Sequence, residues 1–226
     1  MTLLLLWDID GTLLQRASDA HARALHRALR EVHGDELRLE DVRGVEAAGR
    51  TDGAIARDLL LACGVDAGAI DQAIEAVAHA CAVAYAEYCP ADLSGSVSPG
   101  IPALLESLVD DERYRSSLVT GNFEPVARMK LERAGIGRHF EPGQGGFGTD
   151  AEARELLPPL ARARAGDWPR ERTVVIGDTP RDVACARADG IRVVAVTTGP
   201  FDAAALAEAD HVVDGAAGLA PLLERL

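Results

Sequence analysis

The chain has 226 residues, 48% of them hydrophobic, and a formal charge of −13, with a mean hydropathy of +0.02. That is enough apolar content for an ordinary globular core, and it excludes a disordered or fibrous chain. The negative field excludes nucleic acid as a natural ligand, and it sets a condition on any anionic small molecule: a metal ion or a few placed cations must reverse the sign locally.

In chain order, the first apolar run is Leu3–Trp7. It is too short for a secretory segment, has no basic residues before it and runs straight into two aspartates. No other stretch reaches the roughly 20 apolar residues of a membrane span. A cytoplasmic protein with no membrane partner is expected. From Leu14 to Asp92 the spacing predicts helix after helix, over 20–32, 52–63 and 69–88, with no strand between. Beyond residue 93, strands alternate with helices. Strands are predicted at 117–119, 173–176, 193–196 and 212–213, and helices at 102–108, 125–134, 151–165, 182–188 and 203–209. The fold class is therefore α/β: a parallel sheet with helices on both faces, in three layers. Residues 15–92 form a helical insert after the first strand, and residues 1–14 and 93–226 form the core. The insert is expected over the carboxyl end of that strand, where open α/β sheets bind ligands.

Cys63, Cys81, Cys89 and Cys185 form no CxxC pair and are expected as buried thiols. The six histidines lack HxxxH or HExxH spacing, which argues against a histidine zinc site.

Four segments carry chemistry. Asp8 and Asp10 end the first strand two residues apart, so both carboxylates can face one ligand, with Gly11 opening the turn. An ordinary Asp-Gly turn would read the same way. The run Thr173–Gly177 ends at Asp178, with Pro180 fit for a first helical turn and Asp182 four residues on. One such acid can be a helix cap, but two acidic strand ends in one sheet can converge as oxygen ligands for Mg²⁺. Thr120-Gly121-Asn122 ends another strand and offers a hydroxyl and backbone N–H groups to an anion, or merely caps the next helix. Lys130, the single lysine among 23 basic residues, lies in that helix as a compact charge suited to phosphate.

These segments, in this order and with a helical insert after the first, resemble the haloacid dehalogenase-like hydrolase superfamily, in particular its members with a small helical cap of the first type, similar to phosphoglycolate phosphatases. The likeness runs from Leu3 to about Gly199. It implies a Rossmann-like core and a Mg²⁺-dependent phosphatase that acts on a small phosphorylated metabolite. Asp8 would be the nucleophile that forms an aspartyl-phosphate, and Asp10 the general acid and base. Thr120, Gly121, Asn122 and Lys130 would hold the phosphoryl group, with Thr120 and Lys130 counted among the catalytic residues. Asp8, the carbonyl of Asp10 and Asp178 would hold the metal, with Asp182 supporting Lys130 or a metal-bound water.

The chain departs from the pattern at one place. Many relatives carry the phosphate-binding lysine in a later Lys-Pro segment, where this sequence has Gly148-Thr149-Asp150-Ala151-Glu152-Ala153-Arg154. Lys130 reaching in is the favoured reading, with Arg154 as its substitute. In the insert, Gly49-Arg50-Thr51-Asp52-Gly53 looks like the substrate-specificity loop of the phosphoglycolate phosphatase-like members. Arg50 can pair with a substrate carboxylate or hydroxyl, or lie in water while Thr51 caps a helix, and both readings stand. His21, in the first helix of the insert, can face the site, but a solvated helix face is the favoured reading. A sugar phosphomutase on the same core is the rival enzyme, set lower because the insert contains no lysine. A binding module without turnover is the rival from another class, and the presence of Asp8, Asp10 and Asp178 speaks against it.

Overall fold

The computed structural model describes residues 2–226. Six strands form one parallel sheet: β1 (Leu3–Trp7), β2 (Tyr114–Thr120), β3 (Gly146–Phe147), β4 (Thr173–Gly177), β5 (Arg192–Val196) and β6 (His211–Val213), in the order β3-β2-β1-β4-β5-β6. β1 sits inside the sheet, paired with β2 and β4. Leu4, Leu5, Leu6 and Trp7 are fully buried, as a strand covered on both faces must be.

Alternation along the strands sorts the core into two layers. Leu5, Trp7, Leu118, Val174 and Ile176 face one side, with α4 (Ile101–Val109), α5 (Glu124–Arg133) and α8 (Gly215–Leu223). Leu4, Leu6, Val119 and Val175 face the other, with α6 (Leu157–Arg164) and α7 (Pro180–Asp189). Helices therefore cover both faces, the three-layer arrangement expected.

Between β1 and β2 come α1 (Asp19–His33), α2 (Asp52–Ala62) and α3 (Ala67–Tyr88), the run of helices that the apolar spacing predicts. The two stretches joining this block to the sheet lie side by side. Leu14 and Val97 form an antiparallel bridge, the N–H of Gln15 donates to the carbonyl of Ser96 at 2.7 Å, and that of Ser98 to Leu13 at 2.9 Å. No helix among the described residues is long and apolar enough to cross a membrane.

Two predicted elements change, and two others were not predicted. The helix expected over 151–165 is only Leu157–Arg164. Pro158 and Pro159 cannot donate to carbonyls four residues back and would clash with them, so residues Arg154–Leu156 make a tight 3₁₀ turn instead. The segment 203–209 is a succession of turns rather than a helix. The side chain of Asp202 caps the N–H of Ala205, but an alanine run with only Leu206 buried lacks the tertiary packing that sustains so short a helix. Helix α8 was not expected, because Gly215, Gly218 and Pro221 disguise its period. The two-residue strand β3 is too short to signal itself. Cys81, Cys89 and Cys185 are buried and Cys63 half-buried, all as free thiols.

Candidate active site

The carboxyl ends of β1, β2 and β4 meet under the helical block. Asp8 follows β1 directly and is 4% exposed; Asp178 follows β4 and is fully buried. Asp182, on the first turn of α7, is brought to them by a capping box: Thr179 Oγ1 accepts from the Asp182 N–H at 3.3 Å, and Asp182 Oδ2 accepts from the Thr179 N–H at 3.0 Å. Carboxylate oxygens of Asp8, Asp178 and Asp182 lie within 4.8 Å of one another. The helix cap anticipated for Asp178 is thus filled by Thr179, which frees Asp178 for the site.

Such a cluster of buried acids is unfavourable without positive charge. Burial pushes the Asp8 carboxyl up to about 7 despite Arg154, with Asp182 and Asp10 adding to the rise. Burial, then Asp8 and Asp182, push Asp178 up to about 8. Thr12 Oγ1 donates to Asp178 Oδ1 at 3.0 Å, but Asp178 Oδ2 is buried with no hydrogen-bond partner among the described residues. A divalent cation fits a donor set of this kind: hard oxygens, one orphaned, on three converging side chains.

Backbone geometry keeps the pocket open. Gly11 has φ +89°, and a Cβ there would come within 2.1 Å of Asp178 Oδ2; a Cβ on Gly199 would come within 1.7 Å of the same atom. Only glycine permits these approaches.

The two candidate cations do different jobs. Lys130, fully buried, donates to Asp10 Oδ1 at 2.8 Å and Oδ2 at 2.6 Å, and its third donor meets His21 Nδ1 at 3.2 Å. Arg154 Nη2 donates to Asp8 Oδ1 at 2.9 Å and also to Asp182 Oδ1. Burial opposes the charge on Arg154, yet Asp182 and Asp8 hold its pKa well above the ordinary value. The cation on Asp8 is therefore Arg154, aimed there by the proline-dictated turn before α6, and Asp182 supports Arg154 rather than Lys130. Lys130 does not line the cleft, whereas Arg154 does.

Asp10 is the mirror image of Asp8. Burial works to raise its pKa, but the Lys130 ammonium outweighs it and the carboxyl ends lower than usual. Asn122 adds a hydrogen bond from Nδ2 to Asp10 Oδ2 at 2.8 Å, and another to Thr120 Oγ1 at 3.0 Å. Thr120 is fully buried beneath this pair and is not part of the cleft lining; Gly121 and Asn122 are.

His21 departs from expectation. It is 8% exposed, not on a solvated face, and bridges Lys130 to Asp52, with Nε2 to Asp52 Oδ2 at 3.0 Å. An ammonium only donates, so Nδ1 accepts and Nε2 carries the proton that Asp52 accepts. Asp52 Oδ2 also accepts from the Phe123 N–H at 2.7 Å. Asp52 lay inside the motif that drew attention to Arg50 and Thr51, and its long-range partners gave no signal in the sequence. Arg50 turns to Asp58, Nη1 to Oδ2 at 2.6 Å, and to the Ala54 carbonyl at 3.1 Å. Thr51 caps α2 by accepting from the Ala54 N–H at 3.2 Å and donates to the Glu152 carbonyl at 2.6 Å.

The family model described as haloacid dehalogenase-like hydrolase matches residues 5–187. A phosphoglycolate phosphatase of Cereibacter sphaeroides is 31% identical over 193 residues, covering 85% of this chain and 84% of the relative. Among solved structures, a hydrolase from Pseudomonas syringae shares the fold at TM-score 0.69 and 20% identity, over 100% of this chain and 99% of the other. A putative beta-phosphoglucomutase from Bacteroides vulgatus does so at TM-score 0.65 and 23% identity, over 99% and 88%. Given the converging acids at the strand ends and a family match across most of its length, the chain belongs to the haloacid dehalogenase-like hydrolases, and it is a phosphatase of that family.

Proposed function

We propose that the protein is a Mg²⁺-dependent phosphatase that hydrolyses a small phosphate monoester through an aspartyl-phosphate on Asp8. The observation that carries this reading is the convergence of Asp8, Asp178 and Asp182 at the strand ends, with Arg154 on Asp8 and Lys130 on Asp10. Asp8, Asp178 and the carbonyl of Asp10 would hold the metal, with Asp182 completing the acidic set. When bound, the ion supplies the positive charge that lets an anionic phosphoryl group approach a carboxylate.

The chain's own residues supply the rest. Asp8 Oδ1 is occupied by Arg154, so its other oxygen attacks phosphorus as the ester P–O bond breaks; the departing oxygen takes a proton from Asp10. Water then attacks the aspartyl-phosphate, gives its proton to Asp10, and the Asp8–phosphorus bond breaks to release phosphate. With both oxygens held by Lys130, Asp10 is poised as the base of the second half. Its acid role in the first half requires that grip to relax. Gly121 and Asn122 line the cleft beside Asp8 and Asp10 and supply donors for the phosphoryl oxygens.

Residues 15–92 act as a cap that closes this site from water, over a core of residues 1–14 and 93–226. The paired junctions at Leu14 and Val97 support this division, as do the cap-to-core bonds of His21, Thr51 and Asp52. The curated relative's name makes 2-phosphoglycolate one substrate to try. The test is release of inorganic phosphate from p-nitrophenyl phosphate by the purified protein. Release should require Mg²⁺, stop with chelator, and fall at least about a thousandfold in Asp8→Asn; chelator-insensitive release, or an active Asp8→Asn variant, would overturn the mechanism.

A further inference from the structure

The cleft does not stop at the acids. Counting the part over the acids, it encloses about 780 Å³ and runs on beneath α1, α2 and the segment between them, the size of a pocket for a drug-sized ligand. A two-carbon acid esterified to phosphate would leave most of it empty.

Its walls change character with distance from Asp8. Ser18, just before α1, and His21, Ala22 and Leu25 on it line the space, one face read at intervals of three and four. His21 bonds to the catalytic floor, and Leu25 lies one turn further on. On α2, Asp52, Ile55 and Leu59 do the same: Asp52 bonds to the floor, and the two aliphatic side chains follow. Leu39 and Val42 close the far wall. Both helices therefore present a polar end to the phosphate and an aliphatic stretch to whatever the phosphate is attached to.

The charges near this chamber are already committed. Of the three lining arginines, Arg154 serves Asp8 and Asp182, and Arg50 is tied to Asp58 and the Ala54 carbonyl. His26 is half-buried, and burial pushes its pKa below the usual value despite nearby Glu40, so it adds little positive charge at neutral pH. Arg16 alone among these arginines has no acidic partner among the described residues, and it is exposed at the mouth, with φ +57°. A carboxylate set beside the phosphate would lie near Asp52 with Arg50 and Arg154 already paired to other acids, an unfavourable place for an ion.

We infer that the alcohol half of the substrate is uncharged and mainly aliphatic or aromatic, several carbons long, and that Leu25, Leu39, Ile55 and Leu59 select it. The inference rests on the phosphatase reading and names its substrate class. The experiment is a kcat/KM series with the full-length protein and Mg²⁺, over ethyl, butyl and hexyl phosphate, 1-naphthyl phosphate and 2-phosphoglycolate. Intrinsic reactivity hardly changes along the alkyl series, so a length dependence reports binding. The expected result is a rise of up to about fourfold per added methylene, with hexyl and 1-naphthyl phosphate well above 2-phosphoglycolate. In Ile55→Asn the hexyl-to-ethyl ratio should fall by about tenfold. A preference for 2-phosphoglycolate, above all one lost in Arg16→Ala, or a flat alkyl series, would overturn this inference and leave the phosphatase reading standing. Absence of release from every ester, p-nitrophenyl phosphate included, would overturn both.

Discussion

Two aspartates two residues apart end in opposite electrostatic states, and the difference is their cations. Asp8 has one arginine shared with Asp182, while Asp10 has an ammonium on both oxygens. In the proposed scheme Asp10→Asn removes the base that activates water but spares attack on an ester with a good leaving group. With p-nitrophenyl phosphate it should give one rapid burst of p-nitrophenol and then turn over about 10² to 10⁴-fold more slowly. A rapid-quench measurement that found no burst would count against the two-step scheme. His21→Ala leaves the third donor of a fully buried lysine without a partner. That costs about 1–3 kcal/mol, and kcat should fall by about tenfold or more with KM little changed. Steady-state kinetics beside a melting curve separate this from simple unfolding, which would lower the active fraction without altering the pH profile of kcat.

Among the elements, the helical block between β1 and β2 comes very near the sheet at Gly121. Its carbonyl accepts from the Asp52 N–H at 2.7 Å, and a Cβ there would meet the Arg50 carbonyl at 2.0 Å. Nothing so close can be accommodated without moving the segment that carries Thr51 and Asp52. Gly121→Ala should therefore displace the helical block and lower kcat/KM by about a hundredfold, as misplacements of roughly an ångström do. The central sheet does not depend on this contact, so the melting temperature should fall much less than in Leu5→Ala. That substitution empties a fully buried position of β1 and should cost about 2–5 kcal/mol. Differential scanning calorimetry on the two variants decides the matter.

At the scale of the molecule, −13 net charge and an acidic cluster leave the metal-free protein sensitive to pH. Asp8 and Asp178 have pKa values raised from 3.8 to about 7 and about 8. Groups raised in the folded state stabilise it fully below their unfolded pKa, and that contribution is lost as pH climbs through the folded values. Metal-free protein should thus melt at progressively lower temperature between about pH 5 and pH 8. Mg²⁺ binds the ionised acids, so its stabilising effect should be larger at pH 8 than at pH 6. A melting temperature indifferent to Mg²⁺ at pH 8 would count against the acidic cluster as the metal site.

Sequence by itself determined the sheet, the insert and the acids. Strand runs such as Leu3–Trp7 and Val174–Ile176 are short continuous apolar stretches, as strands covered on both faces require, and a strand ending in an acid delivers that acid to the carboxyl edge whatever lies around it. The tertiary structure alone decided which cation meets which carboxylate. Lys130 and Arg154 are 120 and 146 residues from Asp10 and Asp8, and no local periodicity encodes pairings at that separation. It also decided that His21 and Asp52 face inward, because a polar residue on an amphipathic helix is solvated until another element arrives to cover it. The apolar chamber belongs to the same class of fact: Leu25, Leu39, Ile55 and Leu59 are ordinary apolar residues in the sequence, and only their assembly leaves a space between them.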